Sequence, residues 1–518
     1  MRTKDYRRRL LLTLFAALTL ALLTSIPSFA ASAKLTAEGY EPGVIRVAGT
    51  ISSTVKSKDN KYYLFEVDSY SNDLVKVLKS TNKSSSVTFL LDTEENMAYA
   101  QLKYALAVKS GSGSSVKDYT RISPAVFVVH PERCATLQTK YTYPATKKGL
   151  QSADLNAQLD TGSKNCFVNL VVSTFTTNPN ITFVYDGKTY RYNSFWGFQQ
   201  TVKACNQQGI AVTAQVMLNQ AAPASFREVK SGSAPYYAFN TKNREARQSV
   251  DALFAHLARF FGREDCYITN WILGNEVNSS STYYYMGNVS LGEFTRSYAA
   301  TFRSFYNALR SVRSSARVFT CLEHCWSMSN FNYPVAFSGK EFLAAFDKEL
   351  DSLQKDVEWN LAYHPYPDQL TDPDFWNDNA PKSENASFIC PKNLSALTSY
   401  IKKKYGKGTR IIISEIGFNS KAGQDVQAAA LALAYDIAAC NPMVDAFIIR
   451  SYQDEAADAA YGLTFGIKGK KAFNVFKYMD TKNYSKYTKN ILKKKVGSSW
   501  KKYISGFKAA RLYSHYHK

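Results

Sequence analysis

The chain has 518 residues, with 64 Lys+Arg against 42 Asp+Glu, 45% hydrophobic and 20% charged. That apolar fraction excludes wholesale disorder, and the scattered glycine and proline exclude a collagen or a low-complexity stalk. Length alone suggests about three domains, softened because barrels run to about 250 residues as one unit.

The first residues have the form of an export signal. Arg7, Arg8 and Arg9 precede an apolar run from Leu10 to Leu23, which is too short to span a membrane comfortably. Small residues around Ala30 and Ala33 offer a cleavage site, so residues 1–33 read as a secretory signal peptide. The mature chain is then expected outside a bacterial cell, secreted or held at its surface without a span. Residues 1–30 carry five basic side chains and one acidic, so the formal +22 falls to about +18 on their removal. Thr481 to Lys518 holds eleven Lys/Arg and no acid. Such a tail attracts polyanions. Outside a cell these are anionic cell-wall polymers, not nucleic acid; a solvated end with no partner is the plainer alternative. Eight cysteines permit disulfides, but several lie in apolar runs where a buried thiol is usual.

Residues 34–130 read as an all-β, sandwich-like domain. Short runs rich in β-branched and aromatic residues, at 44–49, 62–67, 87–91, 98–108 and 125–129, are separated by Ser/Asn/Lys/Gly turns. After Pro131 strands and helices alternate. Strands are expected at 148–151, 166–173, 210–218, 267–274, 316–322, 357–363, 409–414 and 444–450. Helices follow at 195–206, 243–261, 294–312, 342–353, 393–403 and 425–440, with a weak one before 159 and an Asp-Gly hairpin within 181–192. Eight such units are the number that closes a (β/α)8 barrel, here over 131–465. An open doubly wound sheet would need a glycine-rich turn after its first strand, and none is present. Residues 466–518 form a basic segment packing on or trailing the barrel.

Function collects at the C-terminal ends of barrel strands. The fourth strand ends in Gly274-Asn275-Glu276 and the seventh in Ser414-Glu415-Ile416-Gly417. A carboxylate closing an apolar strand is costly unless paired or used. The sixth strand adds His364-Pro365-Tyr366. This constellation resembles clan A glycoside hydrolases. The resemblance implies a retaining mechanism with Glu276 as acid/base, Glu415 as nucleophile, Tyr366 holding the nucleophile and Asn275 on the sugar 2-hydroxyl. Two carboxyls about 5–5.5 Å apart supply a proton to the departing oxygen and negative charge under the oxocarbenium ion. The chain is also similar to a bacterial family of unknown function, the one numbered 5722, which gives no substrate.

Further candidates face the same mouth. Glu323 and His324 end the fifth strand and read either as substrate contacts or as structural hydrogen bonds. Arg450 and Tyr452 end the eighth, where the clan often has an aromatic; no Trp stands there. Trp326 and Trp376 are candidate sugar platforms. One of Tyr283, Tyr284 and Tyr285 would stack on a sugar, while Asn169 and Gln215 read as barrel-layer residues. No metal or cofactor is expected. Cys321 and Cys325 lack a matching second half, and the only His-x-His is His515-Tyr516-His517. No Gly-x-Ser-x-Gly elbow marks an esterase. The expected activity is O-glycoside hydrolysis on a polysaccharide or oligosaccharide, with a non-catalytic glycan binder and a transglycosylase as alternatives. The bland reading makes Glu276 and Glu415 rim carboxylates in salt bridges with Arg450 or a lysine.

Overall fold

The computed structural model describes residues 32–52 and 55–507. The export signal therefore lies outside the described residues, as does the end of the basic tail. The chain divides into two compact units. One comprises the described residues up to Ala37 with Val47–Phe89 and Lys103–Val126; the other comprises Glu38–Arg46, Leu90–Leu102 and Phe127 onward.

The expected all-β character of the N-terminal region holds. In the first unit Lys61–Val67 pairs antiparallel with Leu74–Asn82 on one side and Lys103–Lys109 on the other. Ser86–Asp92 alternates exposed and buried at every residue, as a one-sided sheet requires. Three strands escape the sequence reading, Ala33–Glu41, Leu74–Asn82 and Tyr119–Arg121. Leu74–Asn82 has no fully buried residue, so no apolar alternation marks it. The run expected at 98–108 is split. Met97–Ala100 is a 3-10 turn started by the Asn96 side chain, and the strand begins at Lys103.

The second unit is the barrel. Its strands are β1 (Lys148–Leu150), β2 (Asn165–Val171), β3 (Ala211–Asn219), β4 (Asn270–Leu273), β5 (Arg317–Leu322), β6 (Trp359–Tyr363), β7 (Ile411–Ile413) and β8 (Val444–Ile449). Each pairs in parallel with the next, and β8 returns to pair with β1, so the sheet is closed. The sequence reading placed all eight. Inward-facing Phe167, Ile272, Phe319, Cys321, Ala362, Ile412, Ala446 and Ile448 fill the interior. The opposite strand faces bury against the helices, as in Trp271 against Phe261 and Phe305.

The helices follow from apolar stripes and caps. Arg244–Phe261 starts on Asn243, whose side chain accepts from the amides of Glu245 and Ala246. Leu291–Arg310 and Gly339–Leu353 start on Ser290 and Ser338 in the same way. Gln424–Cys440 is different: every residue from Gln427 to Cys440 is buried. A helix apolar all round must be covered all round. Its outer cover is the C-terminal segment, where Val475, Phe476, Tyr484 and Leu492 are buried and Tyr484 donates to Asp436. Lys471–Tyr478 also gives β8 the helix that the sequence reading left open.

Two lysines at the start of β1, Lys147 just before it and Lys148 within it, tie the ring together. Lys147 Nζ donates to the carbonyls of Ala438, Ala439 and Asn441 at the end of Gln424–Cys440. Lys148 Nζ donates to Thr161, Phe476 and Lys477 at 3.0–3.2 Å, so one ammonium satisfies the C-terminal carbonyls of the first and last barrel helices. Burial pulls its pKa down to about 8. Lys148→Met is expected to leave those carbonyls without a donor and to lower stability by about 3 kcal/mol. The urea unfolding midpoint measures it, and an unchanged midpoint would refute this role. All eight cysteines are buried and unbridged. Among the described residues no helix is long and apolar enough to cross a membrane.

Candidate active site

The period of two along each strand delivers the site. Ala362 and Ile448 face the interior, so His364 and Arg450, two residues further on, point into the mouth. On β3, Gln215 shares that face. Gln215 and Arg450, with the residues beyond β4 and β7, line a cavity of about 440 Å³, and His364 lies buried behind Glu276. Glu276 and Glu415 both line it, together with Gln151, Asn169, Gln215, Tyr236, Asn275, Tyr283 and Arg450.

The chain leaves β4 by a strained turn. Gly274 has φ +76°, and a Cβ there would stand 2.8 Å from the Tyr284 and Val277 side chains, so only glycine fits. Glu276 itself has φ +38°. A side-chain-bearing residue in that region costs about 1–2 kcal/mol and marks a position fixed by its surroundings. Its Oε1 lies 2.7 Å from His364 Nδ1. His364 is fully buried, and its Nε2 lies 3.4 Å from Cys321 Sγ. Burial works against the imidazolium; Cys321 and the carboxylates of Glu415 and Glu276 outweigh it and raise the pKa well above the ordinary value. His364 is thus an imidazolium whose Nδ1 donates to Glu276 Oε1.

Glu415 has a different environment. Its Oε1 accepts from Tyr366 at 2.8 Å and from Arg450 Nη1 at 2.9 Å, whereas its Oε2 has only Gln151 Nε2 at 3.4 Å. Arg450 is itself clamped by Asp458, Nε to Oδ2 and Nη2 to Oδ1, both 2.8 Å. Burial pushes the Glu415 carboxyl up, but Arg450, His364 and Tyr366 together take it below the ordinary value. Tyr366 stays protonated, because burial and the Glu415 charge raise its pKa. Asn275 Oδ1 accepts from Gln215 Nε2 at 2.9 Å, which leaves the Asn275 NH₂ for the cavity.

Other expected residues divide. Glu323 is buried; its oxygens accept from Asn278 Nδ2 and the Cys325 amide, both 3.0 Å. This is the structural alternative, and burial raises its pKa. His324 packs edge-on to Phe388. Trp326 is no platform. It is fully buried, donates Nε1 to the Glu384 carbonyl and packs on Tyr400. Trp376 is buried against Phe375. Tyr452 donates to Asp160 and packs on Phe473, outside the cavity lining. Asn169 and Gln215, read as barrel-layer residues, line the cavity instead. Gln151, Tyr236 and Asp458 were not anticipated; of these only Gln151, the polar residue that closes the apolar run of β1, carried a signal. Of the three tyrosines, Tyr283 faces the carboxylates and Tyr284 is core. Among the described residues, two groups could bring three ligand atoms within 4.8 Å for a metal, Glu323–His324–Cys325 and His130–Glu132–Asp356.

A closed parallel barrel with paired carboxylates at its C-terminal mouth defines the class: a (β/α)8 barrel preceded by an all-β region. Residues 140–503, more than two thirds of the chain, match the Family of unknown function (DUF5722), and the chain belongs to that family. No curated protein matches it significantly. Among solved structures it is similar to a glucosidase from Croceicoccus marinus (13% identity, TM-score 0.40, 66% of this chain and 68% of that one). It is also similar to fungal β-1,4-galactanases (12%, 0.40, 64% and 98%) and to a GH113 β-1,4-mannanase (14%, 0.36, 65% and 97%).

Proposed function

We propose that the protein is a retaining glycoside hydrolase acting on O-glycosidic bonds of a polysaccharide or oligosaccharide. The observation that carries this reading is the unequal setting of two carboxyls in one cavity. Glu276 is hydrogen-bonded to the proton-bearing His364, and Glu415 is kept ionised by Arg450 and Tyr366.

The chemistry follows from the free lone pairs. Glu415 Oε1 is occupied, so Oε2 attacks the anomeric carbon. Glu276 protonates the departing oxygen as the C–O bond breaks, taking the proton across its hydrogen bond from His364, which is left a neutral imidazole. Glu415 is then esterified and its charge is gone. Glu276 next takes a proton from water, whose oxygen displaces Glu415 with a second inversion. The Asn275 amide donates to a sugar hydroxyl throughout, with Gln215 fixing its orientation. A 2-deoxy-2-fluoroglycoside with a good leaving group is expected to trap the ester on Glu415. Peptide mass spectrometry locates the label, and a label on another residue would refute the assignment.

The same reading places the enzyme outside a bacterial cell, with residues 1–33 removed. Amino-terminal sequencing of protein recovered from the producing cells checks the cleavage. Lys482, Lys486, Lys489 and Lys493 are exposed on the C-terminal segment, which supports retention on an anionic wall polymer.

A further inference from the structure

Among the apolar side chains that fill the barrel interior, only Cys321, near the end of β5, offers a hydrogen-bonding atom. It lies directly behind the acid. Its Sγ is 3.4 Å from His364 Nε2, the ring nitrogen opposite the one that meets Glu276 at 2.7 Å. Cys321 and His364 are both fully buried, so bulk water does not reach Nε2. The backbone of β5 holds the same pair. The Val277 amide, next after Glu276, donates to the Cys321 carbonyl at 2.9 Å, and the His364 amide donates to the Leu322 carbonyl at 3.0 Å.

The contacts of the sulfur settle its part. Its own proton points toward Asn275 Oδ1 at 4.0 Å. Gln215 Nε2 lies 3.8 Å away but has better acceptors, the Gly274 carbonyl at 3.1 Å and Asn275 Oδ1 at 2.9 Å. The sulfur lone pairs are therefore left for His364. An imidazolium donates from both nitrogens. Nδ1 faces a carboxylate and Nε2 faces a thiol, and sulfur is a weak acceptor that orients the ring without competing for its charge. A carboxylate in place of the thiol would hold the ring's proton against Glu276.

We infer that Cys321 is a positioning residue for the acid: its sulfur keeps the Nε2 proton of His364 in place, so that the Nδ1 proton is the one passed to Glu276. This rests on the glycosidase reading. The charged groups facing His364 are Glu276 beyond β4 and Glu415 beyond β7, the latter bonded to Arg450 beyond β8 and Tyr366 beyond β6. None of them is altered by substitution at 321, so a change in the titration of His364 reports the loss of the sulfur.

The measurement is the basic limb of the kcat/KM profile on di- and trisaccharides of glucose, galactose and mannose, whose poor leaving groups need the acid. Cys321→Ala leaves a buried N–H of the imidazolium without an acceptor. That form becomes less favourable, His364 loses its proton earlier as pH rises, and the limb is expected to move down by about 1–2 pH units. Cys321→Ser restores an acceptor and is expected to bring most of the limb back. Cys321→Val serves if the alanine variant fails to fold. The His364 ring signals of histidine-labelled protein, assigned by their loss in His364→Gln, are expected to titrate with the same shift. A limb unmoved in active, folded Cys321→Ala and Cys321→Val overturns the positioning role and leaves the glycosidase standing. A serine variant displaced as far as the alanine variant also overturns it, because the acceptor would then count for nothing. A wild type inert on every saccharide overturns both.

Discussion

Glu415→Gln is expected to reduce turnover of any accepted glycoside by on the order of 10⁴-fold while glycan affinity changes by no more than a few-fold. The substitution preserves shape. A glutamine carbonyl still accepts from Tyr366 and from Arg450, and Arg450 keeps both bonds to Asp458. What disappears is the second oxygen, the one atom of the group that no strong donor occupies. An amide nitrogen there cannot form the glycosyl ester. This separates the proposal from its plainest rival, in which Glu415 exists only to neutralise Arg450. That rival is not empty, since the salt bridge is present. A neutral glutamine would then cost stability and leave turnover nearly intact. Kinetics on the wild type's best glycan, with thermal unfolding of both proteins, decides between the two.

The architecture was legible because barrel strands are buried on both faces and read as short apolar runs. Ile411–Ile413 and Val444–Ile449 could hardly be anything else. The site was legible where a polar residue interrupts such a run at its C-terminal end, as Glu276, Glu415, His364 and Arg450 do. Sequence reasoning failed where the loop path decides. Trp326 follows β5 as a mouth platform would, but the segment around Glu384 and Tyr400 closes over it. Tyr452 lies two residues beyond Arg450, yet Ser451 has φ +61° and the alternation of faces does not continue through such a residue. Glu323 ends its strand as Glu276 does, but it finds Asn278 and the Cys325 amide where Glu276 finds His364. Asp458 sits on a turn of four helical residues with no apolar pattern, and its role is visible only once Arg450 is placed.

Arg450→Met is expected to move the acidic limb of the kcat/KM profile upward by about 1–3 pH units. The sign follows from the state that Glu415 needs. The nucleophile must be ionised, and its pKa is the outcome of burial pushing up against Arg450, His364 and Tyr366 pulling down. Arg450 is the largest of the lowering influences. Its removal leaves only His364 and Tyr366 to oppose burial, so the carboxyl takes up its proton at a higher pH and activity fades earlier as the solution is acidified. Stability carries the same sign. In the wild type the depressed Glu415 contributes stability above its unfolded pKa, lost as pH falls through the folded value. In the variant the depression of the pKa is smaller, so that contribution shrinks. Arg450→Lys is the diagnostic companion. A lysine restores a charge but cannot span Glu415 and Asp458 at once. The limb should return toward the wild-type position while kcat stays depressed, since Oε2 is no longer held in line. A limb that stays fixed in Arg450→Met while kcat falls would mean that Arg450 braces the loop through Asp458 and has no hold on the nucleophile's charge.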